Sequence, residues 1–161
     1  MKNKKINFLI IITITAILLD QVIKIIMKSK LFNSSILVIP YILKLTYVQN
    51  TGAAFGIGNN STSMFVAVNI VIIGLITYFI FSKKDEINRP ILIALHLIVA
   101  GGISNLIDRI TRGFVIDYID ISPLIKYPVF NLADMFIVVG CIIIAIFLIK
   151  DAIVKKKNIG E

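Results

Sequence analysis

Four stretches of this chain are each long and apolar enough to cross a bilayer, which restricts the fold more than any other feature. A spanning helix needs roughly 20 mostly apolar residues. About Asn7 to Met27, Met64 to Phe81, Ile91 to Asp108 and Phe130 to Ile149 qualify. With 58% of its 161 residues hydrophobic, an ordinary soluble domain would have nowhere to put the apolar surface. The sequence therefore predicts a single integral membrane domain over residues 1–161, built on four transmembrane helices. The first stretch follows a basic N-terminus, as a secretory signal peptide would. It is too long for one, contains Asp20 and Lys24, and has no small-residue cleavage site after it, so it is read as a retained crossing.

Charge sets the orientation. The formal net charge is +8, and the basic residues cluster at Lys2, Lys4 and Lys5, at Lys83, Lys84 and Arg89, and at Lys150 and Lys155 to Lys157. With four crossings these clusters share one side, which the positive-inside rule makes the cytoplasm, with both termini in it. Lys28, Lys30, Lys44, Arg112 and Lys126 fall on the other side. Flanking positions account for the basicity, so nucleic acid is not an expected partner, whereas membrane lipids are. One cysteine, Cys141, and one histidine, His96, rule out an internal disulfide and supply too few ligands for a Cys/His metal centre. Both read as packing residues within apolar runs.

The outer segments are richer than the inner link, Ser82 to Pro90. The first, roughly Lys28 to Ser63, is long for a loop without a role. Ile42 to Val48 within it reads as a strand, and Asn50-Thr51-Gly52-Ala53-Ala54-Phe55-Gly56 as a turn of small residues. In the second, Ile110 to Pro128, the run Phe114 to Ile121 is also strand-like. A small β platform on the extracytoplasmic face is expected.

The polar residues fall at one depth. Asp20 lies roughly 20 Å along the first helix at 1.5 Å per residue. Asn105, Asp108 and Arg109 end the third helix, Asn131 and Asp134 begin the fourth, and Asp117 lies between them. Acids in hydrocarbon are costly and mark functional sites by default. Two carboxylates brought close can share a proton and do acid–base work near neutral pH. Simpler readings stand beside this one. Asp20 and Lys24 are spaced to neutralise each other on one helix face. Asp108 with Arg109 fits an interfacial ion pair, Asn131 with Asp134 a first-turn polar group, and Asp117 a solvated loop acid. Gly101, Gly102 and Ser104 fit a small-residue packing surface. Ser104 with Lys24 is an alternative hydrolytic pair. A transporter using Asp20, Lys24 and Asp134 as a relay is an alternative class, although relay acids should be spread through the membrane. A scaffold whose polar residues only lock helices together is a third.

The strings Asp20-Gln21-x-x-Lys24, Asn50-Thr51-Gly52-Ala53-Ala54-Phe55-Gly56, Gly102-x-x-Asn105-Leu106-Ile107-Asp108-Arg109, Val115-Ile116-Asp117-Tyr118-Ile119 and Phe130-Asn131-Leu132-Ala133-Asp134, in this order, closely resemble bacterial lipoprotein signal peptidase (signal peptidase II). The resemblance runs from the first helix to the fourth. It implies an aspartyl endopeptidase of the bacterial cytoplasmic membrane, working near the extracytoplasmic face; a monomer is expected because one copy needs no partner to assemble the site. Such an enzyme removes the signal peptide of diacylglyceryl-modified prolipoproteins just before the lipidated cysteine. Asp117 and Asp134 are then the catalytic pair. Asn50, Gly52, Asn105, Arg109, Asn131 and Ala133 bind substrate or support the site, and Asp20, Lys24 and Asp108 are structural polar residues. No metal or organic cofactor is required. Met135 and Gln49 depart from the residues common at those positions in the family.

Overall fold

The computed structural model describes residues 2–52, 62–83 and 85–159. In chain order its elements are α1 (Lys2–Leu31), β1 (Ser35–Ile39), β2 (Leu43–Asn50), α2 (Thr62–Lys83), α3 (Arg89–Arg112), β3 (Val115–Asp120) and α4 (Leu132–Ile159). Among the described residues, four helices are long and apolar enough to cross a membrane, as the sequence predicts. They overrun the apolar stretches because backbone groups near the bilayer edge still need intrahelical partners. Lys28 and Lys30 accordingly close the last turn of α1 instead of opening a loop. The strand predicted at Ile42 to Val48 runs on to Asn50, and β1 is an additional strand. The Ala53 to Gly56 part of the small-residue turn lies outside the described residues.

α3 is the hub, packed against α1, α2 and α4. Pro90 sits in its first turn after the N-cap residue Asn88, where a missing N–H costs nothing. At its other end Gly113, at φ 81°, adopts the left-handed conformation and returns its N–H to Arg109 O at 3.1 Å, a usual glycine stop.

Close approach of α3 and α4 depends on two glycines. A Cβ on Gly101 would meet Ala133 O at 2.3 Å, and one on Gly140 would meet Ala94 O at 2.7 Å. Helices in lipid gain little from hydrophobicity and associate through such small-residue contacts. Gly102 turns instead to α2, where Ile73 would be 3.1 Å from an added Cβ. The predicted small-residue surface is thus present and divided between two neighbours.

The bundle is chemically polarised. Leu9, Ile80, Leu92, Leu95 and Val99 form an apolar core near the start of α1 and α3. Along α1 the buried positions Leu9, Thr13, Ala16, Asp20 and Lys24 form a helical stripe that turns from apolar to charged, before Leu31 is buried in the last turn. There the sheet sits, antiparallel, in the order β1-β2-β3. β2 and β3 pair Asn50 with Val115 and Val48 with Asp117. Phe130, just before α4, bridges to Ile119 on β3 and so ties the fourth helix to the sheet. β3 is nearly all buried.

Candidate active site

Asp117 enters from the middle of β3. Its Oδ2 accepts a hydrogen bond from Asn50 Nδ2 at 2.8 Å, and its Oδ1 accepts one from Asn131 Nδ2 at 2.7 Å. Asn50 reaches it as a diagonal neighbour across the β2–β3 ladder. The Asn50 amide is fixed because its Oδ1 accepts the Gly52 N–H at 3.0 Å. Burial first, and then the nearby charge of Asp134, push the Asp117 carboxyl up to about 7 against the opposing pull of the two amide hydrogen bonds and Lys24.

Asp134 comes from the first turn of α4. Its Oδ1 accepts from Asn105 Nδ2 at 2.7 Å and its Oδ2 from the Asn131 N–H at 3.1 Å. Asn131 is the N-cap, and its Oδ1 takes the Asp134 N–H at 2.9 Å. This reciprocal pair satisfies two otherwise orphaned helix N–H groups. The first-turn reading of these residues is correct, but it does not exhaust them. The Asn131 Nδ2 group that reaches Asp117 also lies 3.1 Å from Asn105 Oδ1. One asparagine therefore joins the two carboxylates.

Both carboxylates line a cavity of about 360 Å³, together with Asn50, Phe65, Asn105 and Arg109. Arg109 donates from Nη2 to Gly52 O at 3.1 Å and lies 5.5 Å from the Phe65 ring centroid. Its Nε is buried and has no hydrogen-bond partner among the described residues. A half-buried cation with a buried spare donor suits an incoming carbonyl or other acceptor.

Beneath the pair is a buried ionic floor. Lys24 Nζ lies 2.7 Å from Asp20 Oδ2 and 3.0 Å from Asp108 Oδ2, with all three side chains fully buried. Asp20 also accepts from Ser104 Oγ at 2.6 Å and from the Ala133 N–H at 3.0 Å. Asp108 takes the Ile116 N–H at 3.1 Å and pairs with Arg112. Each carboxylate thus clips an element of the site, α4 by Asp20 and β3 by Asp108. A buried charge is tolerable only when paired and fully hydrogen-bonded, and these are.

Several sequence expectations change here. Asp108 pairs with Arg112 and Lys24, not with Arg109: one turn of helix brings residue 112 onto its face, whereas residue 109 points elsewhere. Asp20 and Lys24 do neutralise each other, as part of a larger cluster. Ser104 with Lys24 is no hydrolytic pair, because the Ser104 hydroxyl donates to Asp20 and Lys24 is committed to Asp20, Asp108 and Asn105. Asp117 is not a solvated acid, being 2% exposed. Cys141 is exposed on α4 rather than packed, while His96 is buried and hydrogen-bonded to Thr13 at 2.8 Å. Gln21 and Arg112 are site residues that the sequence reading does not include. Gln21 Nε2 reaches Ser104 Oγ and Asp108 Oδ1, and Arg112 reaches Gln21 Oε1. Their spacings of one turn from Asp108 and one residue from Asp20 were the available signals.

Four bilayer-length helices with carboxylates gathered at the sheet end define a multi-pass membrane protein. Comparison with known proteins narrows this. The family model described as signal peptidase (SPase) II matches residues 12–150, and the chain belongs to that peptidase family. The lipoprotein signal peptidase of Caldicellulosiruptor bescii is 38% identical over 88% of this chain and 90% of its own. That of Staphylococcus aureus is 37% identical over 92% of each. A solved bacterial membrane enzyme structure matches with a TM-score of 0.83 at 36% identity, over 91% of this chain and 90% of that one.

Proposed function

We propose that this protein cleaves the signal peptide from diacylglyceryl-modified prolipoproteins just before the lipidated cysteine, with Asp117 and Asp134 as the catalytic pair. The observation that carries the reading is the joint anchoring of the two carboxylates by Asn131 at the wall of one cavity. Nothing else among the described residues offers a second acid–base pair there.

One carboxylate is ionised and takes a proton from a water held between the two. The other is protonated and donates to the scissile carbonyl oxygen or the departing amine. Burial of Asp117, with its carboxyl raised to about 7, suits a pair that holds a single proton at neutral pH. Arg109, with its free Nε–H, and the Asn50 amide orient the substrate backbone. The substrate signal peptide is a helix in the bilayer, so its cleavage region has to unwind, and the sheet end supplies polar partners for that irregular backbone. Both termini are cytoplasmic by the positive-inside rule, which puts the site near the extracytoplasmic face. The diacylglyceryl chains stay in lipid, and one copy of the chain carries every residue named.

The test is cleavage of a diacylglyceryl-modified prolipoprotein by purified protein in nanodiscs, with the unlipidated form as control. Lipid-dependent cleavage by wild type, lost in Asp117→Asn and in Asp134→Asn, is the expected result. A folded wild type that does not cleave overturns the reading. Cleavage that survives either substitution keeps the peptidase and discards the pair.

A further inference from the structure

The Lys24 ammonium has three hydrogens and three acceptors. Two acceptors, Asp20 and Asp108, are what any charged helix clamp would use. The third is Asn105 Oδ1 at 2.9 Å, and this contact points out of the floor towards the reaction centre. Asn105 Oδ1 also receives Asn131 Nδ2 at 3.1 Å. An amide oxygen held by two donors leaves its NH₂ facing the other way, here onto Asp134 Oδ1 at 2.7 Å. Turning the amide over would set its NH₂ against an ammonium and an NH₂.

We infer that Lys24 is a positioning residue of the reaction, which through Asn105 fixes a hydrogen-bond donor on Asp134 and sets the first ionisation of the carboxylate pair. The inference rests on the peptidase reading above. Asp134 is faced by Asp117 from β3, by Asn105 and Arg109 from α3, by Asp20 and Lys24 from α1, and by Asn131 in its own first turn. Of the cations around the site, Arg109 spends Nη2 on Gly52 O, and Arg112 is bound to Asp108 and Gln21. Lys24 alone among them reaches Asp134 through a single intervening side chain. A donor held on a carboxylate oxygen favours its ionised form, and the double variant below cancels the charges of Asp20 and Lys24, so that it reads the loss of this fixed donor.

The test measures kcat and KM against pH for wild type, for Lys24→Arg and for the double variant Asp20→Asn with Lys24→Met, in nanodiscs with diacylglyceryl-modified prolipoprotein. The double variant removes one charge of each sign and leaves the floor balanced. Its acid limb of kcat is expected to move to higher pH by about one unit or more, with KM little changed, while Lys24→Arg keeps the limb near its wild-type position. A folded double variant with an unmoved limb overturns the inference. Should the double variant not fold, Asn105→Leu carries the test, because it cuts the link and leaves Lys24 paired with both aspartates. The same upward shift is expected there, and an unmoved limb is again decisive against it. A folded wild type that fails to cleave would overturn the peptidase reading and this inference together, whereas wild-type cleavage with unmoved limbs overturns this one alone.

Discussion

Asn131 and Asp134 exchange hydrogen bonds across the first turn of α4: Asn131 Oδ1 accepts the Asp134 N–H, and Asp134 Oδ2 accepts the Asn131 N–H. The same asparagine then donates from its side chain to Asp117. Helix start and carboxylate pair are one construction. Asn131→Ala is therefore expected to lower stability by about 1 kcal/mol, the usual cost of a lost cap. Cleavage should fall far more than that loss of stability explains. Thermal melting and initial-rate assays on the same preparation check both parts.

Replacing either carboxylate should abolish turnover without unfolding the bundle. Asp117→Asn and Asp134→Asn keep the shape and size of the side chain. Loss of acid–base assistance is worth roughly 10²–10⁴-fold in rate, and both variants should retain a cooperative melt.

The contribution of Asp117 to stability should fall as pH rises. Burial pushes the Asp117 carboxyl up to about 7 in the folded protein from an ordinary value of 3.8. A raised carboxyl binds more protons folded than unfolded between these values, so its contribution is fully present below 3.8 and is lost as pH climbs through about 7. Asp117→Asn should flatten that part of the profile. Midpoints of thermal unfolding across this range, wild type against variant, decide it.

Gly101→Ala should wedge α3 from α4, since its Cβ would meet Ala133 O at 2.3 Å and Ile137 at 2.8 Å. A destabilisation of about 1–3 kcal/mol is expected for such overpacking. Cleavage should fall as well, because Asp134 would be carried away from Asn105. Gly74→Ala on α2, with nothing within 4 Å of the new methyl, should leave both quantities near wild type.

Ser104→Ala should retain cleavage, since its hydroxyl serves Asp20. Losing a hydrogen bond to a charged group costs about 1.5–3 kcal/mol, so the melt should drop while the protein remains a peptidase.

The helices were plain from apolar length, and the common depth of Asp20, Asp108, Asp117 and Asp134 followed from counting residues along them. Pairing was less legible. Nothing local to Asp108 says that it prefers Arg112 and Lys24 to its neighbour Arg109, because that choice is made by helix phase and by the approach of α1. The sequence pairs Asn131 with Asp134 as a first-turn polar group, but the reach of Asn131 to Asp117 depends on Phe130 bridging β3. β1 escaped notice because Ser35–Ile39 is apolar on both faces and exposed throughout, with no alternation to announce it. The exposure of Cys141 is not legible because α4 is apolar all round, so its sequence does not say which side faces lipid.

The change from apolar to charged along the inner stripe of α1 bears on how the protein is made. When the first crossing enters the bilayer, Asp20 and Lys24 have only each other, at about 2.5–3.5 kcal/mol for each charged group near the centre of a lone helix. Asp108 arrives with α3, and the Ala133 N–H that completes Asp20 arrives only with α4. The newborn helix therefore carries an unfinished polar cluster through most of synthesis. Retaining it in the membrane and closing the site are parts of one late event, and chains cut short before α3 should be cleared by quality control rather than accumulate as stable fragments.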